Sequence, residues 1–578
     1  MSETLEALQH PESPAWFRLG EDTAIFEAAL KEAEEANAAR RLWGREGGLW
    51  SEDEWTASHI EERLGWLDLP QSMRIEIPRL KALAAEIRAA DIRHVVLLGM
   101  GGSSLAPEVM GHILGDDQYP HLTILDSTDP LQIRHATQSV PLGQTLFLIA
   151  SKSGTTAETR NLYLYFKHAV REKVSEEHWS NHFVAITDPG TPLEEIARRE
   201  DFRTVYLNPT DIGGRYSALS FYGLVPASLV GVDLDELLRQ AKEMAWECRA
   251  GVPAENNPGL VLGAIMGGLA RHSEPRDKMT LITSPQMSPF GAWAEQMLAE
   301  STGKEGTGIL PVDREPPRPA GAYGHDRLFV YVRLATDDNK ENDKRVTELI
   351  AEEHPVVVLN LPDIHNLGGE FFRWEFATAI AGYLLNINPF NQPNVEAAKT
   401  QARNALTQYE ETKTLPKVSP VLQEGGFKIY GPETGVESMV AYLASFLGDA
   451  EPDDYIAILA YVERNREHDD ILQEMRRLLG EKTGLATTAG FGPRYLHSTG
   501  QLHKGGRNNG LFLQITYTPE EDLPIPTREY TFSVFKRAQA LGDLEALREA
   551  DRRAIRVHID RPLASGLQEL TEIIQKAL

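Results

Sequence analysis

The chain has 578 residues, of which 42% are hydrophobic, and this length predicts three or four domains of about 100 to 200 residues each. Its net charge of -27 at pH 7 disfavours nucleic acid or an anionic membrane as the main partner, while a single pocket can still bind an anionic metabolite. Cys248 is the single cysteine, which excludes an internal disulfide and fits a reducing, cytoplasmic compartment.

Residues 1–75 are predicted to form a helical arm on the surface of the later domains. The start, MSETLEALQHPESPAW, is acidic and has no basic segment followed by an apolar one, so no secretory signal is expected. Residues 26–42 follow a helical pattern rich in Ala and Glu, and Trp-containing turns come next. No apolar run approaches the ~20 residues that span a bilayer.

Residues 76–235 are predicted to form the first α/β domain. Short apolar runs, HVVLLG, LTIL, TLFLIA, HFVAIT and TVYL, alternate with helical stretches. Continuous apolar strands joined by helices indicate a doubly wound parallel sheet that is covered on both faces. After the third run, Leu162, Phe166, Ala169 and Val170 share one helix face, which should pack on the sheet.

Two further α/β domains are predicted at residues 236–410 and 411–578. MTLIT, RLFVYVRL and VVVLNL mark strands of the second domain, and YIAILAYV, LFLQITYT and IRVHID mark strands of the third. No low-complexity tract separates the three domains, so we expect them to share surfaces. The predicted fold class is α/β, with two doubly wound domains, a third α/β domain and the helical arm.

Ligands of open α/β sheets collect outside the carboxyl ends of the strands, where two loops of the first domain lie. The loop GMGGSSLAP, residues 99–107, resembles a dinucleotide-binding turn, in which Asp126 would be the acidic residue that binds the ribose. However, Ser104 stands where that turn requires its last glycine. A nicotinamide cofactor is therefore disfavoured.

The second loop, SKSGTTAET at residues 151–159, is dense in hydroxyl groups. At the start of a helix, such side chains place O–H and N–H donors around one point where the helix dipole adds positive charge, as a phosphate monoester requires. The alternative is an ordinary helix cap by Thr155 or Thr156, completed by Glu158 or Thr159. This segment alone does not decide between the two.

Three polar residues of the next segments are candidates for chemistry. Arg215 follows two glycines in DIGGRYSALS, so it is either a cation beside a ligand or a solvated arginine on a turn. Gln296 and Glu300 lie four residues apart on one helix face. Glu300 is close to the helix C-terminus, where a carboxylate is unfavourable, so it has a local function or is tolerated at the surface.

Two later segments hold further candidates. NINPFNQPNVEAAK ends at Lys399, which could instead form a solvated pair with Glu396 on the helix surface. LHSTGQLHKGG contains His497 and His503. No cysteine or acidic cluster lies nearby in the sequence, which disfavours a metal site there.

Taken in order, the segments GMGGSSLAP, ASKSGTTAET, GGRYSALS, AESTGK and NINPFNQPNVEAAK resemble the motifs of the glucose-6-phosphate isomerase family, which is built from two sugar isomerase domains. Five motifs in the order of the family are far more specific evidence for that family than any one motif alone. The whole chain is most similar to the isomerase half of transaldolase/isomerase fusion proteins, and its length leaves no room for an added transaldolase. The resemblance implies reversible isomerisation of glucose 6-phosphate and fructose 6-phosphate, in glycolysis and gluconeogenesis, with no cofactor and no metal.

The resemblance also assigns roles to residues. Glu300 matches the base that carries a proton between C1 and C2 through a cis-enediol, and Arg215 would stabilise the enediolate. Lys399 and His497 match the residues that open the sugar ring. The implied substrate-binding residues are Gly102, Ser103, Ser151, Lys152 through its backbone, Ser153, Thr156, Thr159, Gln296 and Gln392.

One motif departs from the family order. The family's HSxGQ segment precedes the lysine motif and commonly reaches the site from the neighbouring subunit, whereas here it follows Glu300 by about 200 residues. We expect the third domain to supply His497 in cis, which would make a monomer competent; otherwise the protein would act as a homodimer. Asn391 and Asn394 stand where the family often has Asp and Gly, and they could alter the helix pitch or the sugar preference.

Two alternatives to this function stay open. A protein that binds a sugar phosphate without converting it would have no need to keep Glu300, Arg215 and Lys399 together. An isomerase that also accepts mannose 6-phosphate would differ only in its tolerance of the C2 epimer.

Overall fold

The computed structural model describes residues 15–175 and 178–578. The stretch on which the expectation about a secretory signal rests lies almost entirely outside the described residues. None of the described helices combines the length and the apolar character needed to cross a membrane.

The described part of the N-terminal arm begins with a strand, which the sequence did not predict. This strand, β1 (Ala15–Arg18), pairs antiparallel with a strand of the second domain. The helices of the arm are α1 (Thr23–Glu35), α2 (Ala38–Trp43), α3 (Glu54–Glu61) and α4 (Leu69–Ser72). Phe26 and Leu42 are buried in the main core, so the arm is part of the packed molecule.

The first domain has the predicted parallel sheet, with strand order β3-β2-β4-β5-β6. Its strands are β2 (His94–Leu98), β3 (His121–Leu125), β4 (Thr145–Ala150), β5 (Phe183–Thr187) and β6 (Thr204–Leu207). Its helices are α5 (Ile77–Ala89), α6 (Leu105–Leu114), α7 (Pro130–Ser139), α8 (Ala157–Lys173), α9 (Pro192–Arg199) and α10 (Phe221–Leu229). Leu162, Phe166 and Val170 of α8 are fully buried against this sheet, while Ala169 is half-buried.

The second domain repeats the pattern, with strand order β1-β10-β9-β7-β8. Its strands are β7 (Lys278–Thr283), β8 (Leu310–Val312), β9 (Arg327–Leu334) and β10 (Val356–Leu361). Its helices are α11 (Leu234–Glu247), α12 (Pro258–Ala270), α13 (Phe290–Thr302), α14 (Lys340–Ala351), α15 (Leu367–Leu384) and α16 (Val395–Thr412). The strands of this domain are parallel, and β1 of the arm adds the antiparallel edge.

The third domain has a mixed sheet, with strand order β11-β12-β16-β15-β13-β14. Its strands are β11 (Leu422–Glu424), β12 (Phe427–Tyr430), β13 (Tyr455–Tyr461), β14 (Ala486–Phe491), β15 (Gly510–Tyr517) and β16 (Arg553–Ile559). Its helices are α17 (Met439–Gly448), α18 (Arg466–Thr483), α19 (Gly500–Gly505), α20 (Phe532–Glu549) and α21 (Leu563–Ala577). The predicted α/β class with doubly wound parallel sheets is confirmed.

The third domain shares a core with the first, as expected from the absence of linkers. Phe532 and Phe535 of α20 lie in the same hydrophobic cluster as Phe147 and Phe166 of the first domain. In addition, α20 packs along α16 of the second domain. The domain boundaries themselves, after residues 75, 235 and 410, stay predictions.

Candidate active site

The hydroxyl-rich segment, residues 151–159, leaves β4 and enters α8, and we call it the hydroxyl loop. Thr156 occupies the N-cap position of α8, yet its side chain makes no capping hydrogen bond. Its Oγ1 instead lies 2.9 Å from Oγ of Ser151. Oγ1 of Thr159 is buried and has no hydrogen-bond partner among the described residues. The geometry therefore disfavours the ordinary helix cap and favours a cradle for an anion.

Two further features shape the hydroxyl loop. Gly154 adopts φ +66°, a left-handed conformation that glycine accommodates without strain. The Lys152 ammonium pairs with the Asp188 carboxylate and donates to the Thr210 carbonyl at 3.2 Å. The Lys152 side chain is thus engaged away from the loop, which leaves its backbone as the part available to a ligand. Ser153 is exposed, with its Oγ 2.8 Å from Oγ1 of Thr155.

The glycine turn after β2 packs closely against other domains. A Cβ at Gly101, where φ is +57°, would come within 2.8 Å of Nε2 of Gln296 and 3.0 Å of the His497 carbonyl oxygen. A Cβ at Gly102 would lie 1.9 Å from the Gly214 carbonyl oxygen. Glycine is required at both positions because the backbone itself approaches its neighbours. The short turn Gly101–Ser103 thus places Ser103 at the same junction.

The dinucleotide alternative for this turn is also disfavoured by its surroundings. Asp126, the candidate acid for a ribose, is buried and forms an ion pair of 2.7 Å with Arg494. Ser104 donates its hydroxyl to the same carboxylate at 3.3 Å. Asp126 therefore holds the third domain against the first.

Glu300 lies in the last turn of α13, and 12% of its side chain is exposed. Its Oε2 accepts a hydrogen bond of 3.0 Å from Nε2 of Gln296, one turn earlier. Its Oε1 is 3.9 Å from Nη1 of Arg215. Surface tolerance thus does not explain this carboxylate, because it is largely buried and faces a guanidinium.

Arg215 is held rigidly beside Glu300, with only 3% of its surface exposed. It donates to Ser301 Oγ at 2.6 Å and to Gln392 Oε1 at 2.9 Å. It also donates to the carbonyl oxygens of Pro389 and Asn391, at 2.6 and 2.9 Å. Arg215 is therefore not the solvated arginine on a turn that the sequence left open as an alternative. Gln392 is positioned by the same guanidinium.

His497 reaches this site from the third domain of the same chain. Its Nε2 lies 3.0 Å from Oε1 of Glu158, and its carbonyl oxygen accepts a hydrogen bond of 2.8 Å from Nε2 of Gln296. Burial raises the pKa of Glu158, but His497 and Lys399 together hold that pKa below its ordinary value. Sequence reasoning considered Glu158 only as part of a helix cap and missed this pairing, since nothing in the local sequence indicates it.

Lys399 is the most exposed of the four predicted catalytic residues. Its Nζ forms an ion pair of 2.7 Å with Glu396, and 47% of its side chain is exposed. This is the solvated pair considered from the sequence, although the Lys399 charge still acts on Glu158.

The two asparagines that depart from the family pattern have structural partners that sequence reasoning missed. The buried Lys304 donates to the carbonyl oxygen and to Oδ1 of Asn391, at 2.5 and 3.0 Å. Gln501 of α19 donates to Oδ1 of Asn394 at 2.6 Å. Asn394 therefore links the lysine motif to the segment that carries His497.

His503 is a core residue. It is buried, with its Nδ1 3.1 Å from the Tyr455 hydroxyl, and burial holds the pKa of His503 well below its ordinary value. Within residues 15–175 and 178–578, no group of three or more His, Cys, Asp and Glu side chains is arranged to hold a metal ion.

Solved structures share the fold of this chain. A hypothetical protein from Thermus thermophilus superposes with a TM-score of 0.57 at 25% identity and matches 67% of this chain and 99% of that protein. A glucose-6-phosphate isomerase from Chlamydia trachomatis superposes with a TM-score of 0.56 at 18% identity and matches 71% and 95% of the two chains.

Sequence comparisons identify the family. The phosphoglucose isomerase family matches at residues 79–308. A probable glucose-6-phosphate isomerase from Haloarcula marismortui is 28% identical over 356 residues, which are 56% of this chain and 80% of the relative. The glucose-6-phosphate isomerase of Pediococcus pentosaceus is 30% identical over 388 residues, 58% of this chain and 85% of the relative. The likeness to transaldolase fusion proteins stays a prediction. Because the match to a 30% identical relative extends over most of that relative's length, the chain belongs to the glucose-6-phosphate isomerase family.

Proposed function

We propose that this protein interconverts D-glucose 6-phosphate and D-fructose 6-phosphate through a cis-enediol, as an intramolecular aldose-ketose isomerase. The observation that carries the proposal is the pairing of Glu300 with Arg215, 3.9 Å apart and both largely buried. Removing a proton next to a carbonyl requires a base at carbon and a cation where oxygen charge develops. These two side chains supply both groups at one point.

In the proposed isomerisation, Glu300 removes the C2 proton of the open-chain aldose. The electron pair of that C–H bond forms the C1–C2 double bond, and the charge moves onto O1 beside Arg215. Glu300 then delivers the proton to C1 while the O2 hydroxyl proton passes to O1, so that C2 becomes the carbonyl and C1 carries the hydroxyl. Gln296 holds the Glu300 carboxylate during both steps, since it donates to Oε2.

The hydroxyl loop binds the phosphate in this proposal. Ser151, Ser153 and Thr156 precede α8 and Thr159 lies in its first turn, where several donors and the helix dipole favour an anion. The loop is on the first domain, while Glu300 is on the second. The substrate would therefore lie across their junction, with its phosphate on one domain and its C1–C2 bond at the other.

Ring opening precedes isomerisation, because the hexose phosphates are mostly cyclic. We assign this step to His497, which transfers a proton between O1 and the ring oxygen as the C1–O5 bond breaks. Glu158 fixes the imidazole through the contact to Nε2. Lys399 would assist after its side chain leaves Glu396, which its exposure permits.

A coupled assay that follows glucose 6-phosphate formation from fructose 6-phosphate tests the proposal. We expect Glu300→Gln to lower kcat by about 10³-fold or more, because the amide cannot accept the proton. The control is Glu341→Gln, an exposed carboxylate on α14, which should leave the rate unchanged. Full activity of Glu300→Gln would overturn the mechanism.

Absence of turnover in the unaltered protein, with retained binding of fructose 6-phosphate, would favour the sugar-phosphate-binding alternative. Tolerance of mannose 6-phosphate is measured in the same assay with that substrate.

A further inference from the structure

The helix α20 carries an unusual set of buried polar side chains on one face. Lys536, Gln539 and Asp543 follow each other at spacings of three and four residues, which places them on the same side of the helix. Their exposed fractions are 2%, 5% and 0%. A buried polar group that lacks hydrogen-bond partners lowers the stability of the folded protein by about 1–3 kcal/mol. The contacts of these three side chains therefore indicate their role.

Gln539 contacts the carboxylate that pairs with His497. Its Nε2 donates to Oε1 of Glu158 at 2.8 Å, and its Oε1 accepts a hydrogen bond of 2.7 Å from Oγ1 of Thr128. The Thr128 hydroxyl thus fixes the amide with its NH2 group towards Glu158. Oε1 of Glu158 receives hydrogen bonds from both sides, from Gln539 and from His497.

Asp543, one turn further along α20, contacts the segment that carries His497. Its Oδ2 accepts a hydrogen bond of 2.5 Å from the Tyr495 hydroxyl, and its Oδ1 forms an ion pair of 2.6 Å with Lys504. Tyr495 and Lys504 lie two residues before and seven residues after His497. One carboxylate therefore anchors the chain on both sides of the histidine.

We propose that Gln539 and Asp543 are positioning residues for His497: Gln539 orients the Glu158 carboxylate, and Asp543 holds the backbone from which the imidazole projects. The inference rests on the proposed function, in which His497 opens the sugar ring. The third domain then supplies both His497 and the helix that orients it. Proton transfer depends on heavy-atom distances of about 2.6–3.2 Å, so small displacements of the ring slow it.

The test separates ring opening from isomerisation. In a Glu300→Gln background, where isomerisation is blocked, the interconversion of the α and β anomers of glucose 6-phosphate reports ring opening alone and is measured by exchange NMR. We expect Gln539→Leu to lower the enzyme-catalysed anomer interconversion by about tenfold or more. Thr128→Val, which frees the Gln539 amide to rotate, should give a smaller loss and serves if the leucine variant does not fold.

A pH profile distinguishes positioning from general damage. The Gln539 N–H donor favours the ionised form of Glu158, so its removal should move the acid limb of the anomer interconversion to higher pH. Gln539→Glu should move that limb further, because two carboxylates would then face each other. We expect the pH at the midpoint of the acid limb to increase in the order unaltered protein, Gln539→Leu, Gln539→Glu.

Lys536→Met is the matched control on the same helix face. Among the described residues, Lys536 pairs with Asp129 at 2.6 Å and lies over the Tyr517 ring, and it does not contact Glu158 or His497. We expect this variant to lower the thermal unfolding midpoint while leaving the anomer rate and its pH profile unchanged. An equal loss of anomer interconversion in this control would overturn the proposal.

An unchanged rate and pH profile in a folded Gln539→Leu protein would also overturn the proposal. Failure of the proposed function is seen separately, as the absence of isomerisation by the unaltered protein.

Discussion

Arg215 makes four hydrogen bonds, to Ser301, to Gln392 and to two backbone carbonyl oxygens. These bonds hold the guanidinium in one orientation, with Nη1 3.9 Å from Oε1 of Glu300. A cation that is already in place when negative charge develops costs no reorganisation during the reaction. Lysine, with a single nitrogen on a flexible stem, cannot reproduce this arrangement.

We therefore expect Arg215→Lys to lower kcat by about 10²–10³-fold, while KM changes little. The loss of a contact made only in the transition state lowers kcat and kcat/KM together. Steady-state kinetics in the coupled assay measure both quantities. The control is Arg198→Lys, an exposed arginine on α9, which should match the unaltered protein. A rise in KM at constant kcat would contradict the assigned role.

Glu295, the neighbour of Gln296, has a different environment. It lines a cavity of about 360 Å³ together with Asp313 and Arg476. Burial, reinforced by the Asp313 charge, raises the pKa of Glu295 to about 7, although Ser498 donates a hydrogen bond to it. The folded protein thus keeps a proton here that the unfolded chain releases near pH 4.5.

Between about pH 4.5 and 7 the folded state binds more protons than the unfolded state, so this group lowers stability as the pH rises and adds no further loss above pH 7. Glu295→Gln removes the titration. We expect the variant to gain about 1–3 kcal/mol relative to the unaltered protein between pH 5 and pH 8. Urea unfolding midpoints across this range measure the difference, with the exposed Glu545→Gln as control. Parallel pH profiles would contradict the assignment.

At the scale of elements, the hydroxyl loop illustrates how a local sequence can be ambiguous. Serine and threonine before a helix are typical of caps, yet Thr156 pairs with Ser151 and leaves the first turn of α8 without a side-chain cap. The turn at Gly154 and the position of the loop at the carboxyl end of β4 favour a ligand-binding loop over a helix cap. The hydroxyl groups of Ser151 and Thr156 thus lie 2.9 Å apart.

We expect Thr156→Val to raise KM for fructose 6-phosphate by about 10- to 100-fold with kcat nearly constant, because hydrogen bonds to a charged group contribute about 1.5–3 kcal/mol. The phosphate keeps the same charge throughout the reaction, so its contacts stabilise substrate and transition state alike. Thr155→Val is the control, since Thr155 is exposed and pairs with Ser153. An equal change in kcat would show that the loop acts on chemistry.

The strands that the sequence predicted are those with continuous apolar runs, and several bounds agree to the residue, as in β4, β6, β9 and β10. The strands that it missed include β1, β8, β11 and β14, which lie at sheet edges. Three of these strands, β1, β8 and β11, have only three or four residues, so no long apolar run marks them in the sequence. The sequence ATTAGF of β14, for example, has no pattern that predicts a strand.

At the scale of the whole molecule, three domains meet at Gly101. The first domain contributes this glycine, the second contributes Gln296, and the third contributes the His497 carbonyl oxygen. Further pairs, such as Asp126 with Arg494 and Asp129 with Lys536, join the first and third domains across buried surfaces. The third domain is therefore packed as part of the candidate site, and removing it would expose that site.

A mixing experiment tests whether one chain is sufficient. We expect Glu300→Gln and His497→Ala proteins, coexpressed so that subunits can exchange, to show no more isomerase activity than the sum of the two alone. The reason is that His497 lies 3.0 Å from Glu158 of its own chain. The reference is the unaltered protein taken through the same treatment. Recovery of activity in the mixture would mean that the histidine is donated by a second subunit.

The sequence by itself determined the α/β class, the family and the residue types of the candidate site, because apolar periodicity and the motifs with their order are read directly along the chain. It could not determine that Glu158 pairs with His497, or that Gln539 and Asp543 contact Glu158 and the segment around His497. Those contacts join residues up to 381 positions apart and depend on how three domains pack. Only the tertiary structure decides them, since a side chain's partner is set by burial and geometry that no sequence window contains.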